Sequence, residues 1–217
     1  VAHGTEPQYL RGLYSATLKV DQRLGDSLNL TSISSFFHSY ANNTLDIDKG
    51  PLPFLTGHQN FKTNVGSQEL RLANSGDSGL KWLVGVFAQA NDPSVYTDTV
   101  AFNGDPSNPA NLDDPAQFSS QYTDVVQRHR EYAAFGNVSY TLANWTFETG
   151  VRADYNNSSL TDPLYNIGDQ QHGTEILPKL SASYHFDKDI MGYGTISRCF
   201  QPGDLVEEFD ALGNPMA

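Results

Sequence analysis

The sequence predicts an all-β fold, an antiparallel up-and-down transmembrane β-barrel, and three observations predict it. Tyr, Phe, Thr, Ser and Val fill the segments between clusters of Gly, Asn, Asp and Pro, with few apolar residues at helical spacing. Period-two alternation recurs in about eight segments. The connections between them alternate between short and long, which gathers the short turns at one end of the sheet and the long loops at the other. Membrane barrels sort their connections this way, whereas a soluble sandwich has no reason to.

In chain order, the predicted strands cover 9–23, 27–41, 66–74, 79–90, 124–142, 145–157, 176–187 and 190–201. Short connections follow the first, third, fifth and seventh strands, at Leu24-Gly25-Asp26, 75–78, Ala143-Asn144 and Asp187-Lys188-Asp189. Long loops are expected at 42–65, 91–123 and 158–175, with an irregular tail after Gly203. Several of these strands run to a dozen residues or more, where soluble strands average about 5–6.

The hairpin at Ala143-Asn144 carries most of the argument. If those two residues form the turn, Leu142 pairs with Trp145 and each further pair steps outward by one residue on both strands. One face then carries Leu142, Tyr140, Val138, Gly136, Ala134 and Tyr132 opposite Trp145, Phe147, Thr149, Val151, Ala153 and Tyr155. The other carries mostly polar residues, among them the charges Glu148, Arg152 and Asp154. On the apolar face the aromatics Tyr140, Trp145 and Phe147 sit near the turn and Tyr132 and Tyr155 sit at the far end, with small and aliphatic residues between. Ten steps of about 3.3 Å at a tilt near 40° project to roughly 25 Å, the height of a lipid-facing band between aromatic girdles. A soluble β-sandwich also gives one apolar face, but concentrates its bulk mid-strand, where it fills the core. The three charges then face a wet lumen, where charge is natural, rather than lipid, where it is costly.

Composition removes other classes. No run approaches the roughly 20 apolar residues of a membrane-spanning helix. With 13 basic and 25 acidic side chains the formal net charge is −12, and the largest basic cluster is Arg128-His129-Arg130, so nucleic acid is not an expected partner. A single cysteine, Cys199, forms no intrachain disulfide, and the six scattered histidines show no metal-ligand spacing. The opening VAHGTEPQYLRG lacks the charged start and apolar core of a signal peptide.

The segments LTSISSFFHSY (30–40), SQELRLAN (67–74), KWLVGVF (81–87), AAFGNVSYTL (133–142), WTFETGVRADY (145–155), LPKLSASYHFD (177–187) and MGYGTISRCFQPG (191–203) resemble, in order and spacing, the barrel domain of TonB-dependent outer-membrane receptors. The resemblance spans about residues 13–203; Cys199 and Asp204 depart from it at positions where Gly is usual. It implies a barrel of about 22 strands, of which these eight are about a third. On this reading the chain is an internal segment, 1–217, with the plug domain and the C-terminal strands absent. The resemblance further implies residence in the outer membrane of a Gram-negative bacterium and uptake of a scarce ligand such as a ferric siderophore. Coupling to the TonB complex would run through a plug. No enzyme activity and no cofactor are implied. The expected partners are outer-membrane lipid, the TonB complex and a small ligand such as a metal chelate or oligosaccharide. A passive porin-like or adhesin-like barrel is the alternative, with a soluble β-sandwich binding module behind it.

The candidate ligand-contacting aromatics lie in the expected loops: Phe54, His58, Tyr96, Phe102 and Tyr165. Gly76-Asp77-Ser78-Gly79 resembles a serine-protease nucleophile segment, but Leu80 follows it and no His or Asp motif accompanies it, so it reads as a turn. Asp46, Asp48 and Gly50 resemble the start of a calcium loop without its Glu, and Asp105, Asp113 and Asp114 read as a hydrated acidic loop.

Overall fold

The computed structural model describes residues 6–49, 54–75, 79–201, 203 and 205 and two short strands in the tail. The turn tetrapeptide's Gly76, Asp77 and Ser78, together with Gly50 and Asp204, lie outside the described residues, as does the Asp113 side chain. Eight strands form one sheet in sequence order: β1 Gln8–Leu24, β2 Leu28–Asp46, β3 Leu55–Asn74, β4 Leu80–Phe102, β5 Phe118–Leu142, β6 Trp145–Asp162, β7 Ile167–His185 and β8 Met191–Ser197. Each strand pairs antiparallel with the next, and among the described residues no pairing joins β8 back to β1, so the sheet is open. In the tail, β9 (Glu208–Phe209) pairs with β10 (Pro215–Met216). Among the described residues no helix is long and apolar enough to cross a membrane, which says nothing of strands.

The hairpin register is the one expected, from Leu142 opposite Trp145 to Tyr132 opposite Tyr155. Ala143 takes a positive φ of 51° there, as the first position of a tight hairpin turn requires. Gly25 does the same in the β1–β2 turn, with φ 67°.

The strands are longer than the alternation indicated. β4 and β5 hold 23 and 25 residues, and at about 3.3 Å per residue and a tilt near 40° they rise about 60 Å, more than twice the lipid band. The expected loops 42–65, 91–123 and 158–175 therefore shrink to connections at 47–54, 103–117 and 163–166. The last of these is as tight as the turns at the opposite end, so the predicted sorting by loop length fails at that connection. Outside a bilayer both faces of a strand meet water, so pairing continues while the alternation that announces it fades.

No ladder slips register, so one alternation runs across the sheet. Val84, Val86, Val138, Val151 and Leu180 share the convex face with the hairpin's aromatics. The residues the sheet buries, Gly57, Ala133, Asp154, Ser158, Leu160 and Asp162, are on the opposite, concave face. Convex-face aromatics mark how the strands lean. On β1 and β2, Tyr14, His38 and Tyr40 cluster with ring centroids 6.1–6.5 Å apart. The rows through Phe36 and Tyr40 cross β5 at Arg130 and Val126, so the His38 cluster sits about four residues, about 13 Å, further from the turns than Tyr132. Over three strand spacings of about 4.8 Å, one membrane level drawn through both clusters gives a tilt near 40°, the inclination of barrel strands.

Candidate functional site

The five interface aromatics are all exposed on the convex face. Tyr132 and Tyr155 stack across the ladder at 6.4 Å. Near the turns, Trp145 stacks on Phe147 at 5.7 Å and meets Tyr184 at 4.8 Å, and Tyr184 meets Phe186 at 4.9 Å. Sequence reasoning missed Tyr184 and Phe186 as members of this row, although the alternating SASYHF segment carries the signal. Just beyond the Tyr132–Tyr155 pair, Arg130 binds Asp92 through two hydrogen bonds of 2.6 and 3.2 Å. A charged pair there fits the place where the apolar band ends.

The concave face gathers the charges that the sequence assigned to a lumen. Arg152 Nε donates to both carboxylate oxygens of Asp154, at 2.8 and 3.0 Å, and its terminal nitrogen donates to Glu131 at 2.6 Å. The guanidinium also lies 5.4 and 5.8 Å from the ring centres of Phe87 and Phe135. Asp154 is only 5% exposed, and Arg152 is the cation paired with it. Glu148 forms a separate cluster, accepting from Lys179 at 2.8 Å and Asn137 at 3.0 Å. Arg198 pairs with Glu175 at 2.6 Å. Sequence spacing placed Glu148, Arg152 and Asp154 on one face but did not show that Glu148 has a different partner. Glu131 and Lys179 come from neighbouring strands, and only the register brings them in.

At the mouth, the end away from the short turns, the five candidate aromatics divide. Phe54 precedes β3 and stacks on Phe102, the last residue of β4, at 5.5 Å, and Phe102 meets Phe118 at 5.2 Å. His58 is a strand residue of β3 whose Nδ1 is 3.2 Å from the Thr44 hydroxyl. Tyr96 is a strand residue of β4, 6.5 Å from Tyr122 between ring centres. Tyr165 lies in the 163–166 turn and donates its hydroxyl to the Tyr122 carbonyl at 2.9 Å. Strand parity puts His58, Tyr96 and Phe102 on the convex face, away from the Arg152 network. The turn itself is shaped by Asp162, 0% exposed, whose carboxylate accepts the backbone N–H groups of Leu164, Tyr165 and Asp124. The Asp-Pro pair at 162–163 was the available signal for that.

In the acidic loop, Asp105 accepts the N–H of Ser107 at 2.9 Å and Asp114 accepts that of Ala116 at 3.0 Å, so both carboxylates cap turns. Among the described residues no three His, Cys, Asp or Glu side chains converge. Cys199 is an exposed free thiol. Beyond β8 the chain folds back over the concave face. Gln127 Nε2 donates to the Leu205 carbonyl at 3.0 Å, and Gln171 Nε2 donates to that of Gly203. No sequence signal announced this strap.

Comparison with solved structures finds the same sheet in receptor barrels. The ferric yersiniabactin uptake receptor FyuA from Yersinia pestis matches with a TM-score of 0.66 and 20% identity over 88% of this chain and 28% of its own. The ferric citrate transporter FecA matches at 0.61, with 16% identity over 83% of this chain and 26% of its own. The ferric-catecholate import receptor Fiu from E. coli K12, in its open form, matches at 0.65 with 9% identity, over 93% of this chain and 37% of its own. At such identities these matches speak for the fold, and this chain spans only about a quarter to a third of each. The sequence profile of the TonB dependent receptor-like β-barrel family matches residues 3–216. With lipid-height aromatic rows on one face, paired charges on the other and a profile match over nearly its whole length, the chain belongs to the TonB-dependent receptor β-barrel family.

Proposed function

We propose that this chain supplies eight strands of the wall of an outer-membrane receptor that takes up a scarce ligand, with uptake energised through TonB by a plug domain encoded elsewhere in the parent protein. The observation that carries the reading is the division of the sheet. Its convex face is apolar between two aromatic rows about 25 Å apart, and its concave face holds the Arg152 and Glu148 charge clusters. An open sheet with such faces satisfies its edges and its lipid boundary only as part of a closed barrel. The named relatives handle ferric yersiniabactin, ferric citrate and ferric catecholates, which supports a ferric chelate as the first ligand to try. We extend the proposal to ligand contact at the mouth by Phe54 and Tyr165, which lie in connections, and with less direct access by His58, Tyr96 and Phe102.

The test is to express the parent gene in a strain lacking its own iron receptors and to measure outer-membrane residence and growth on chelated iron, with and without functional TonB. Outer-membrane, TonB-dependent growth is the expected result. Ligand entry indifferent to TonB would point to a passive barrel, and a soluble, folded product would overturn the membrane reading. Alanine at Phe54 and Tyr165 should weaken uptake, and unchanged uptake would remove them from the ligand path.

A further inference from the structure

We propose that the strap is a movable gate in the lumen wall, with the end of β8 as its hinge. Latched down, it covers a polar cavity of about 440 Å³ on the concave face, with Gln201 and Gly203 above and Gln127, His129 and Ser158 below. Released, it swings clear and opens that stretch of wall to the lumen. The inference rests on the receptor reading above and adds a regulatory step to it.

The first observation is how the strap begins. Along β7 every second residue directs its backbone groups towards β8. Pro178 is one of these: its carbonyl accepts the N–H of Arg198, but it has no N–H to return. The β7–β8 ladder therefore stops at Lys179 opposite Ser197, although β7 itself reaches back to Ile167. Freed from the ladder, the chain leaves the sheet at one fixed point, as a hinge requires.

The second is how lightly it is held. Arg198 donates to Glu175 at 2.6 Å, Gln171 Nε2 donates to the Gly203 carbonyl and Gln127 Nε2 donates to the Leu205 carbonyl at 3.0 Å. Gln127 stands opposite Leu160 in the β5–β6 ladder, so the strap's buried Leu205 is latched on the row of the wall's own buried leucine. Phe200, by contrast, stays 41% exposed. These ties are side-chain bonds, and the β5–β6 and β6–β7 ladders run on unbroken beneath them, so lifting the strap leaves the wall paired. Segments with few buried contacts and exposed hydrogen bonds are the ones that open first.

The third is a relay that sets the latch. The Ser158 hydroxyl lies 2.9 Å from His129 Nδ1, and His129 Nε2 lies 3.4 Å from Gln127 Oε1. The Gln127 oxygen only accepts, so His129 carries its proton on Nε2 and holds the amide with its NH2 group towards Leu205. Ser158, 6% exposed, thus lies under the strap and is tied to the group that holds it. The floor is amide and hydroxyl, which water satisfies once the strap lifts, so Leu160 and Leu205 are the main apolar surface that opening exposes.

The experiment reads the gate through a thiol placed beneath it, in the full-length receptor in outer membranes. Cys199, exposed on the strap, is first replaced by Ser. Ser158→Cys is then labelled from outside with a charged, membrane-impermeant methanethiosulfonate, and Thr123→Cys, on the same face of β5 nearer the mouth, is the open reference. Cys at 158 should label to completion but tenfold or more slower than at 123, and Gln127→Leu should remove most of that difference while leaving the reference rate unchanged. If Gln127→Leu fails to give the folded, heat-modifiable barrel, Gln171→Leu, which frees Gly203, replaces it with an expected acceleration of threefold or more. A thiol at 158 that never labels makes the strap a fixed part of the wall, and one that labels as fast as the reference means that the strap does not cover it; either overturns the gate. Labelling indifferent to the latch variants, in a receptor that still supports TonB-dependent uptake, removes the gate alone. A chain absent from the outer membrane removes both readings.

Discussion

Arg152 grips Asp154 through both carboxylate oxygens, at 2.8 and 3.0 Å, and this grip fixes the centre of the concave wall. Asp154 is nearly buried while the arginine is a third exposed, so the pair is asymmetric in its dependence on solvent. Replacing Arg152 by Leu leaves two carboxylates, Asp154 and Glu131, facing each other without their cation. The expected cost is about 2–3 kcal/mol, below the full penalty for a wholly buried pair because water reaches the arginine. Urea unfolding of the full-length barrel in detergent checks it. R152L with wild-type stability would mean that the network is ornamental.

Glycine and aromatic residues interlock on two strand pairs. Phe135 lies over Gly85, where an added Cβ would come 2.5 Å from its ring and 2.8 Å from the Leu70 carbonyl. Tyr40 covers Gly12 in the same way. Gly85→Ala should displace Phe135 from beneath the Arg152 guanidinium and destabilise the barrel by about 1–3 kcal/mol. The same denaturation assay reads it, and a double variant with Phe135→Leu should recover part of the loss.

The convex face makes a depth-dependent prediction. Val151 stands midway between the aromatic rows and opposite Gly136, so Val151→Arg puts a charge at the lipid midplane, at a cost of about 2–4 kcal/mol. Arg at Ser139, on the concave face, should cost less than about 1 kcal/mol. Equal effects at the two positions would contradict the face assignment.

Ala143 holds a positive φ of 51° in the β5–β6 turn, a region that suits glycine. Ala143→Gly should therefore be neutral to stabilising, by up to about 1 kcal/mol, whereas Ala143→Val should slow folding and destabilise. Refolding rates into detergent or lipid provide the measurement, and a faster-folding valine variant would count against this turn geometry.

Hydrogen bonds from the Ser107 hydroxyl and backbone N–H hold the Asp105 carboxyl below its ordinary value of 3.8. A lowered folded value means that the turn's stabilisation is fully present above that ordinary value and is lost as pH falls through the lowered one. Amide exchange at 105–108 should stay flat from neutral pH to about 4, after correction for intrinsic rates, and show extra opening only below. Opening that sets in above pH 5 would assign the loop's stability to another group.

What the sequence determined by itself was local and periodic. A two-residue turn and strict alternation fixed the register of the β5–β6 hairpin, because a slip of one residue would send Tyr132, Val151 and Trp145 to the wet side. The family resemblance was legible for the same reason: its motifs lie on the segments where lipid enforces a pattern. Tertiary structure decided what alternation does not encode. Above the lipid both faces of β3 and β4 are wet, so nothing in the pattern announced that His58 and Tyr96 are strand residues on the convex side. Glu131, the second partner of Arg152, and Glu148, the partner of Lys179, each come from an adjacent strand, and the strap reaches Gln127 across 78 positions of chain. Such contacts are set by where the sheet curls the chain, a property of all the strands together rather than of any one segment.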